Sequence, residues 1–312
     1  MLVGPFIAGL VVEHAGWRWV FLGVVALTVP GVLLIRPSLR GLDAPTEGKR
    51  GSSRTPWALG AAVSAGVLHA GGQRPGVVGL LLVGLALGGL VVCAPRLLPA
   101  GTFTARPGLP SVVTLRGLAS AAFIQADVFL PLMLTRERGF SPTLAGLTVT
   151  VGGLSWCVAS WYQGRWGQRL TPARRLQIGL GSIAVGVATA MLTVAPAVPV
   201  WVCVAGWAFG GLGMGLSYPT MSALTLTLSA PGEQGANSSA LQLGESLYST
   251  TVLAIGGSLF AALVVHSAST AYLTSYAIAE VLALIGVFVA AFRFAPRRTA
   301  TPAPVLAAAT RG

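Results

Sequence analysis

The stretch VVGLLLVGLALGGLVVCA, residues 77–94, contains no charged side chain. At a helical rise of about 1.5 Å per residue, it nearly covers the hydrocarbon core of a bilayer, which is roughly 30 Å thick. A helix that is apolar on every face is typical of a membrane span or of a deeply buried core. The stretch therefore predicts a transmembrane helix, and the fold depends on how many others accompany it.

The composition of the chain also indicates a membrane protein. Of its 312 residues, 54% are hydrophobic and 9% are charged, whereas about a quarter of an ordinary soluble domain is charged. Such a chain has too few charges to cover a water-soluble enzyme, and it is too hydrophobic to be disordered. The net charge of +12 fits basic loops that face anionic lipid headgroups, so we expect no nucleic-acid partner.

Apolar stretches long enough to cross a membrane recur along the chain. Backbone polar groups in lipid must be hydrogen-bonded within the protein, which α-helices and closed β-barrels achieve. The sequence shows no alternation of apolar and polar residues, as barrel strands would, so helices are favoured. Counting a shorter segment at Met1–Val12, we expect an all-α polytopic protein with about ten membrane helices. The nine full stretches are Trp17–Ile35, Trp57–Gly72, Val77–Ala94, Pro110–Thr135, Pro142–Gln163, Leu176–Val194, Val198–Leu228, Ser238–Val265 and Ala271–Phe292.

The segment Met1–Val12 would reach only about 18 Å as a helix, which is too short for the hydrocarbon core. We expect that the chain begins inside a membrane helix and is N-terminally truncated. Either the sequence is a fragment or its start is mis-set.

Basic residues are distributed unevenly between the two sides of the membrane that the predicted helices cross. If the segment 36–56 is cytoplasmic, alternation of the helices puts sixteen of the twenty Lys and Arg residues on that side. This bias follows the positive-inside rule. We therefore expect a multi-pass protein of the inner or plasma membrane with a cytoplasmic C-terminal tail. The four basic residues on the opposite side are Arg18, Arg74, Arg136 and Arg138.

Three polar segments interrupt or follow the series of predicted membrane helices. Residues 37–56 and 95–109 each contain several prolines and are predicted to be cytoplasmic linkers. Residues 294–312, which are rich in Pro, Ala and Thr, are predicted to be a disordered cytoplasmic tail. The two linkers isolate a helical pair at 57–94, and six spans follow at 110–293.

Several short motifs occur in an order that resembles the major facilitator superfamily. GPFIAG at 4–9 and WRWVF at 17–21 resemble the fifth helix and the start of the sixth in its proton-coupled antiporters, with Ala8 where the family usually has Gly. LPLM at 130–133 and GFSPTLAG at 139–146 are similar to the 14-spanner drug:proton antiporter group. GRWGQR at 164–169 resembles the second copy of the cytoplasmic loop motif, and GLGMG at 211–215 resembles a tenth-helix pattern.

The resemblance implies two six-helix bundles that bind substrate near the membrane midplane. Residues 1–36 would be the last two helices of the N-terminal bundle, 57–94 an extra pair, and 110–293 the complete C-terminal bundle. It also implies conformational or packing roles for Gly4, Pro5, Gly9, Arg165, Gly167, Arg169, Gly211, Gly213 and Gly215. Gly164 replaces the usual Asp of the loop motif, which removes the salt bridge that this Asp offers elsewhere in the family.

Ionisable residues at membrane depth are costly and are functional candidates by default. Arg116, Ser120 and Asp127 share one helical face at spacings of four and seven residues. Asp127 is the first choice for a proton or cation site, ahead of Glu245. The alternative is a carboxylate held near the outer surface by Arg136 or Arg138.

A second polar stripe runs along the helix predicted at Ser238–Val265. Ser238, Gln242, Glu245 and Ser249 repeat at four, three and four residues, so this face does not meet lipid. Glu245 and Gln242 are candidates for proton exchange or substrate binding. The alternative is a polar clasp between helices.

Two further ionisable residues are weaker candidates. Glu280 lies in mid-span after Tyr272 and Tyr276. His69 is an ionisable side chain of a type often used for proton exchange, but it lies in the extra pair and is interpreted as an interfacial residue.

These patterns favour a transporter that couples the efflux of drugs or small metabolites to a proton gradient by alternating access. Its partners would be the lipid bilayer and a small-molecule substrate, with no cofactor, no metal, and a monomer when full length. An importer or permease is one alternative, and a truncated, non-transporting membrane protein is another. An enzyme is not favoured, because no nucleophile–base or metal-binding pattern is present in the sequence.

Overall fold

The computed structural model describes residues 4–35, 55–74 and 76–294, and within them the chain is all-α, which confirms the predicted fold class. Apart from their ends at 55–56 and 294, the predicted linker at 37–56 and the predicted tail at 294–312 lie outside these residues. The helices of the described part are α1 (Gly4–His14), α2 (Trp17–Ile35), α3 (Thr55–Gly72), α4 (Val77–Leu97), α5 (Leu109–Arg136), α6 (Pro142–Trp166), α7 (Pro172–Leu192), α8 (Val200–Leu228), α9 (Gln234–Val264) and α10 (Ala268–Arg293).

Eight of these helices are long and apolar enough to cross a bilayer. The other two are α1, with 11 residues, and α3, with 18. Large apolar side chains such as Leu34, Val91 and Phe292 are more than two-thirds exposed. On a water-soluble protein such faces would aggregate, whereas in a bilayer they meet lipid.

Capping side chains position the starts of α6, α7 and α10. Ser141, Thr171 and Ser267 each accept a hydrogen bond from the backbone N–H three residues later, at 3.2–3.3 Å. This satisfies one of the N–H groups that the first turn of a helix leaves without a partner. Pro142 and Pro172 occupy the first helical position, where a missing N–H has no cost.

Helix α5 is the centre of a bundle formed by α5 to α10. It packs on all five of the other helices, and a larger share of it is buried than of any other membrane-length helix. Leu115, Leu130, Met133 and Leu134 of α5 are fully buried in the main core. Because lipid tails are as apolar as these side chains, close van der Waals packing is what favours burial here.

Glycines bring α8 into close contact with both α6 and α7. A Cβ atom on Gly211 would overlap the carbonyl oxygen of Gly152 in α6, and one on Gly215 would overlap the α6 backbone in the same way. A Cβ atom on Gly213 would overlap the carbonyl oxygen of Gly179 in α7. The glycines of the 211–215 motif therefore divide between two neighbouring helices, as small residues at membrane helix interfaces often do.

Helix α1 packs on α6 through two reciprocal glycine contacts. A Cβ atom on Gly9 would overlap the carbonyl group of Pro142, and one on Gly146 would overlap that of Pro5. The two backbones therefore touch with no side chain between them. Helix α2 packs on α1.

Helices α3 and α4 form the extra pair, which lies against α9. Ala61 and Leu68 of α3, Leu90 and Leu97 of α4, and Ala254 of α9 belong to one hydrophobic cluster. This cluster is distinct from the main core around α5. Helix α9 is thus the element that joins the extra pair to the bundle.

Candidate functional site

An ion pair inside the bundle joins α5 to α9. Nε of Arg116 donates to Oε2 of Glu245 at 2.7 Å, and this is the one salt bridge among the described residues. The two side chains are 9% and 21% exposed. Glu245 lies about 16 Å along α9 from its first residue, well within the span. At that depth a lone charge is costly, and each member of the pair offsets part of the desolvation of the other.

Tyr218 of α8 contacts both members of the pair. Its hydroxyl donates to Oε1 of Glu245 at 3.2 Å, and its ring centroid lies 3.5 Å from Cζ of Arg116. Arg116 Nη1 also donates to the backbone oxygen of Tyr218 at 3.3 Å and to Oγ of Ser222 at 3.4 Å. A desolvated cation over an aromatic ring gains about 2 kcal/mol. Tyr218 therefore stabilises the charge of Arg116 as well as that of Glu245.

Two serines extend the polar contacts along α5 and α9. The hydroxyls of Ser120 and Ser249 are 2.8 Å apart, and Ser120 also donates to Oε1 of Glu245 at 3.5 Å. Ser120 lies one turn after Arg116, and Ser249 lies one turn after Glu245. The polar stripes on the two helices therefore face each other across the α5–α9 interface.

An open cavity of about 300 Å³ adjoins these polar groups. Trp156 of α6 lies edge-on to Tyr218 with 5.2 Å between the ring centroids. Glu245 is therefore accessible from the cavity, while Arg116 is held in the protein interior. The lining residues are Ser120, Ile124, Glu245, Ser246, Ser249, Thr250 and Leu253.

This arrangement can couple the binding of a proton or a polar ligand to the positions of the helices. A proton on Glu245 neutralises the carboxylate, whereas Arg116 keeps its charge at any physiological pH. The guanidinium then lacks a counter-charge in a place that water does not reach freely, which costs several kcal/mol in typical buried pairs. Protonation of Glu245 therefore acts on the contacts of α5 with α8 and α9.

Asp127 lies outside this cluster. It is half-buried on α5, and no basic side chain of the described residues forms an ion pair with it. Arg138, one of its two expected partners, donates instead to the backbone oxygens of Pro196 and Val198 in the α7–α8 turn. Asp127 is therefore a separate carboxylate, still a candidate for proton binding.

Gln242, Glu280 and His69 also lie apart from the ion pair. Gln242 is exposed on α9, one turn before Glu245. Glu280 is half-buried on α10, and within the described part of the chain its Oε2 has no hydrogen-bond partner. His69 Nε2 on α3 lies 2.9 Å from Nε2 of Gln73, which follows the end of that helix. No group of three His, Cys, Asp or Glu residues in the ranges described could hold a metal ion.

The residues of the loop motif lie at the α6–α7 turn, and within the described part of the chain Arg165 and Arg169 make no ion pair with Glu245. Arg165 and Arg169 are exposed there. A Cβ atom on Gly167 would lie 3.1 Å from Cγ of Gln163, a tight contact, and 3.4 Å from Nη1 of Arg175. None of these arginines is paired with an acidic side chain among the described residues.

The sequence pattern did not single out Tyr218 or Ser222 as site residues. Their spacing of four puts them on one face of α8, and that spacing is the signal that was available. Which helix this face meets depends on the packing of α8 against α5, which spacing alone does not encode.

Comparison with known proteins places the chain in a family. The family model of the Major Facilitator Superfamily matches residues 1–250 and, in an overlapping alignment, residues 115–310. No curated protein matched the chain. A solved structure described as "Structure of a bacterial metal transporter" is similar, with 16% sequence identity, 93% of this chain and 81% of that chain covered, and a TM-score of 0.49. Because the family matches span nearly the whole all-α membrane fold, the chain belongs to the major facilitator superfamily and is a multi-pass membrane transporter.

Proposed function

We propose that this transporter is a proton-coupled antiporter that exports drugs or small metabolites by alternating access. The observation that carries the proposal is the Arg116–Glu245 ion pair, which joins two helices of the bundle and borders an open cavity. The antiporter-like pattern at 4–9 and the segments at 130–133 and 139–146 that resemble the 14-spanner drug exporters support the direction of transport.

Glu245 is the site at which proton and substrate compete. When it is ionised, it holds Arg116 and Tyr218 and keeps α5, α8 and α9 in their present packing. When it is protonated, the pair is lost and the state with different helix contacts is favoured. A ligand shifts such an equilibrium only by its difference in affinity for the two states. The proton meets this condition because it removes the charge of Glu245, and that charge stabilises the present packing through Arg116.

Asp127 is the second proton-binding candidate. It is a partly buried carboxylate without a basic partner among the described residues. Glu245 is the stronger of the two because its charge is coupled to three helices, whereas no hydrogen bond in the described part of the chain ties Asp127 to another helix.

The test is transport in everted membrane vesicles with an imposed pH gradient and a panel of cationic, anionic and neutral compounds. Glu245→Gln is expected to abolish proton-coupled export of the compounds that the unmodified protein moves. Glu245→Asp, which keeps the charge, distinguishes loss of coupling from loss of folding, and it is expected to retain partial activity.

Glu233→Gln is the matched control, because Glu233 is an exposed acidic residue just before α9. Its transport is expected to equal that of the unmodified protein. If Glu245→Gln and Asp127→Asn, each present in the membrane at normal amounts, both left proton-coupled export unchanged, the proposed mechanism would be wrong.

A further inference from the structure

We propose that a second cavity, between the extra pair and the bundle, binds a single-chain membrane amphiphile with a hydrogen-bonding head. The cavity lies between α3, α5 and α9 and has a volume of about 800 Å³. Ligand sites commonly have volumes of roughly 300–1,000 Å³. None of the residues proposed above for proton coupling lines this cavity, so the inference goes beyond the proposed function.

Glycines keep this cavity open, in contrast to the glycines inside the bundle. Gly66 of α3 and Gly257 of α9 both line it, and a Cβ atom on either would meet nothing within 4 Å. At the α6–α8 and α7–α8 contacts, added Cβ atoms would overlap a neighbouring backbone. Here the absence of a side chain provides space for a ligand instead of close helix contact.

The polar lining residues are His69 in the last turn of α3, Gln73 just after that helix, and Thr250 and Ser258 on α9. Nε2 of His69 is bonded to Gln73 at 2.9 Å, which leaves the second ring nitrogen and the other amide atom of Gln73 available within the described residues. These two side chains can together donate to and accept from the same ligand group. A hydroxyl or carboxyl head satisfies both, whereas a hydrocarbon satisfies neither.

The rest of the lining selects an apolar body. Val128 and Phe129 of α5 and Leu253 and Ala254 of α9 line the cavity, which extends along α9 from Thr250 to Ala261, about 16 Å of helix. No acidic residue is among the lining residues, and His69 is the one ionisable group there. A cationic head would have no counter-charge in this lining, so we infer a neutral or acidic head.

The second cavity adjoins the cavity beside Glu245. Thr250 and Leu253 line both of them. An amphiphile bound at α3 would therefore lie next to the ion-pair site along a shared wall of α9. This gives the extra pair a role in ligand binding, in addition to its packing on the bundle.

The test is photolabelling of the full chain in lipid nanodiscs with palmitic acid that carries a diazirine on its chain. Adducts located by mass spectrometry are expected on residues 65–73 and 250–261. Gly66→Phe, which fills the cavity, is expected to lower this labelling about tenfold, since a blocked pocket no longer buries the ligand. Gly84→Phe is the matched control, because Gly84 on α4 is also exposed with nothing within 4 Å; it is expected to label normally.

The role of the polar head is tested separately. His69→Ala is expected to weaken labelling by palmitic acid about fivefold, the effect of one lost hydrogen bond, and to leave labelling by a diazirine alkane of equal length unchanged. His266→Ala, on the exposed turn after α9, is the control for a removed histidine.

Two outcomes would overturn the inference. One is equal labelling of Gly66→Phe and Gly84→Phe. The other is adducts spread evenly over lipid-facing helices such as α2, which would indicate ordinary surrounding lipid. Both readouts measure binding, so they stand even if the proton-coupling proposal fails.

Discussion

Arg116 is the residue on which the polar site depends. It contacts Glu245, Tyr218 and Ser222, which lie on two other helices. Arginine suits this position because its planar group can donate in several directions while it stacks on an aromatic ring. A lysine would supply the charge but could not make the same set of contacts.

A double-mutant cycle measures how strongly the two charges are coupled. Arg116→Gln and Glu245→Gln each leave one charge in the interior without its partner, and each is expected to lower the free energy of unfolding by about 3 kcal/mol. The double variant removes both charges and is expected to be less destabilised than the sum of the two single variants. Thermal unfolding in detergent checks this. Strict additivity would mean that the pair does not interact.

Much of the site was predictable at the level of single helices. The polar stripes of α5 and α9 follow from residue spacing, and the structure places Arg116, Ser120 and Glu245 together. Spacing also grouped Asp127 with Arg116, but the two residues are eleven positions apart, which is about three turns of helix. That distance along the helix places the carboxylate beyond the reach of the cluster. The contribution of Tyr218 depends on a contact between helices, so it could not be read from one helix.

At the scale of elements, backbone contacts at glycines determine which helices meet. Helix α1 touches α6 at Gly9, whereas Gly4 of the same motif has nothing within 4 Å of an added Cβ atom. The two glycines of one motif therefore have different structural roles. Gly9 is needed for packing, and Gly4 tolerates a side chain.

This difference predicts opposite results for two similar substitutions. Gly9→Leu forces a side chain into the carbonyl group of Pro142 and is expected to lower the free energy of unfolding by about 2 kcal/mol or more, as overpacked interfaces do. Gly4→Leu is expected to have little effect. Thermal unfolding of both variants in the same detergent is the measurement. An equal loss in both would point to a general effect of leucine in α1 and not to the α1–α6 contact.

Helix ends were harder to predict than helix cores. Hydropathy placed the start of α7 at Leu176, but the helix begins at Pro172. The first turn contains Arg174 and Arg175, which lower the local hydropathy although they are helical. The boundary is set by Thr171, whose side chain caps the helix by accepting a hydrogen bond from the N–H of Arg174. A hydropathy profile does not detect polar caps at the membrane surface.

At the scale of the whole molecule, the alternating order of the bundle helices fixes which loops share a side. The α6–α7 turn carries Arg165, Arg169, Arg174 and Arg175 and lies at the end of the bundle where α10 finishes. The α7–α8 turn lies at the opposite end. The positive-inside rule predicts that the arginine-rich end is cytoplasmic.

Cysteine labelling in cells tests this orientation. In a Cys157→Ala background, where the two other cysteines are buried, Ala197→Cys is expected to react with a membrane-impermeant maleimide in intact cells. Thr171→Cys is expected to react only after the membrane is permeabilised. Both positions are exposed in the structure. The reverse pattern would invert the topology and contradict a cytoplasmic C-terminal tail.

The central ion pair also constrains how the protein is made. Arg116 and Glu245 are 129 residues apart, so α5 leaves the ribosome long before its counter-charge on α9 exists. Until then Arg116, about 10 Å from the start of its helix, can reach the headgroup region with its long side chain. We therefore expect α5, which becomes the centre of the bundle, to settle at its final depth after α9 has been synthesised.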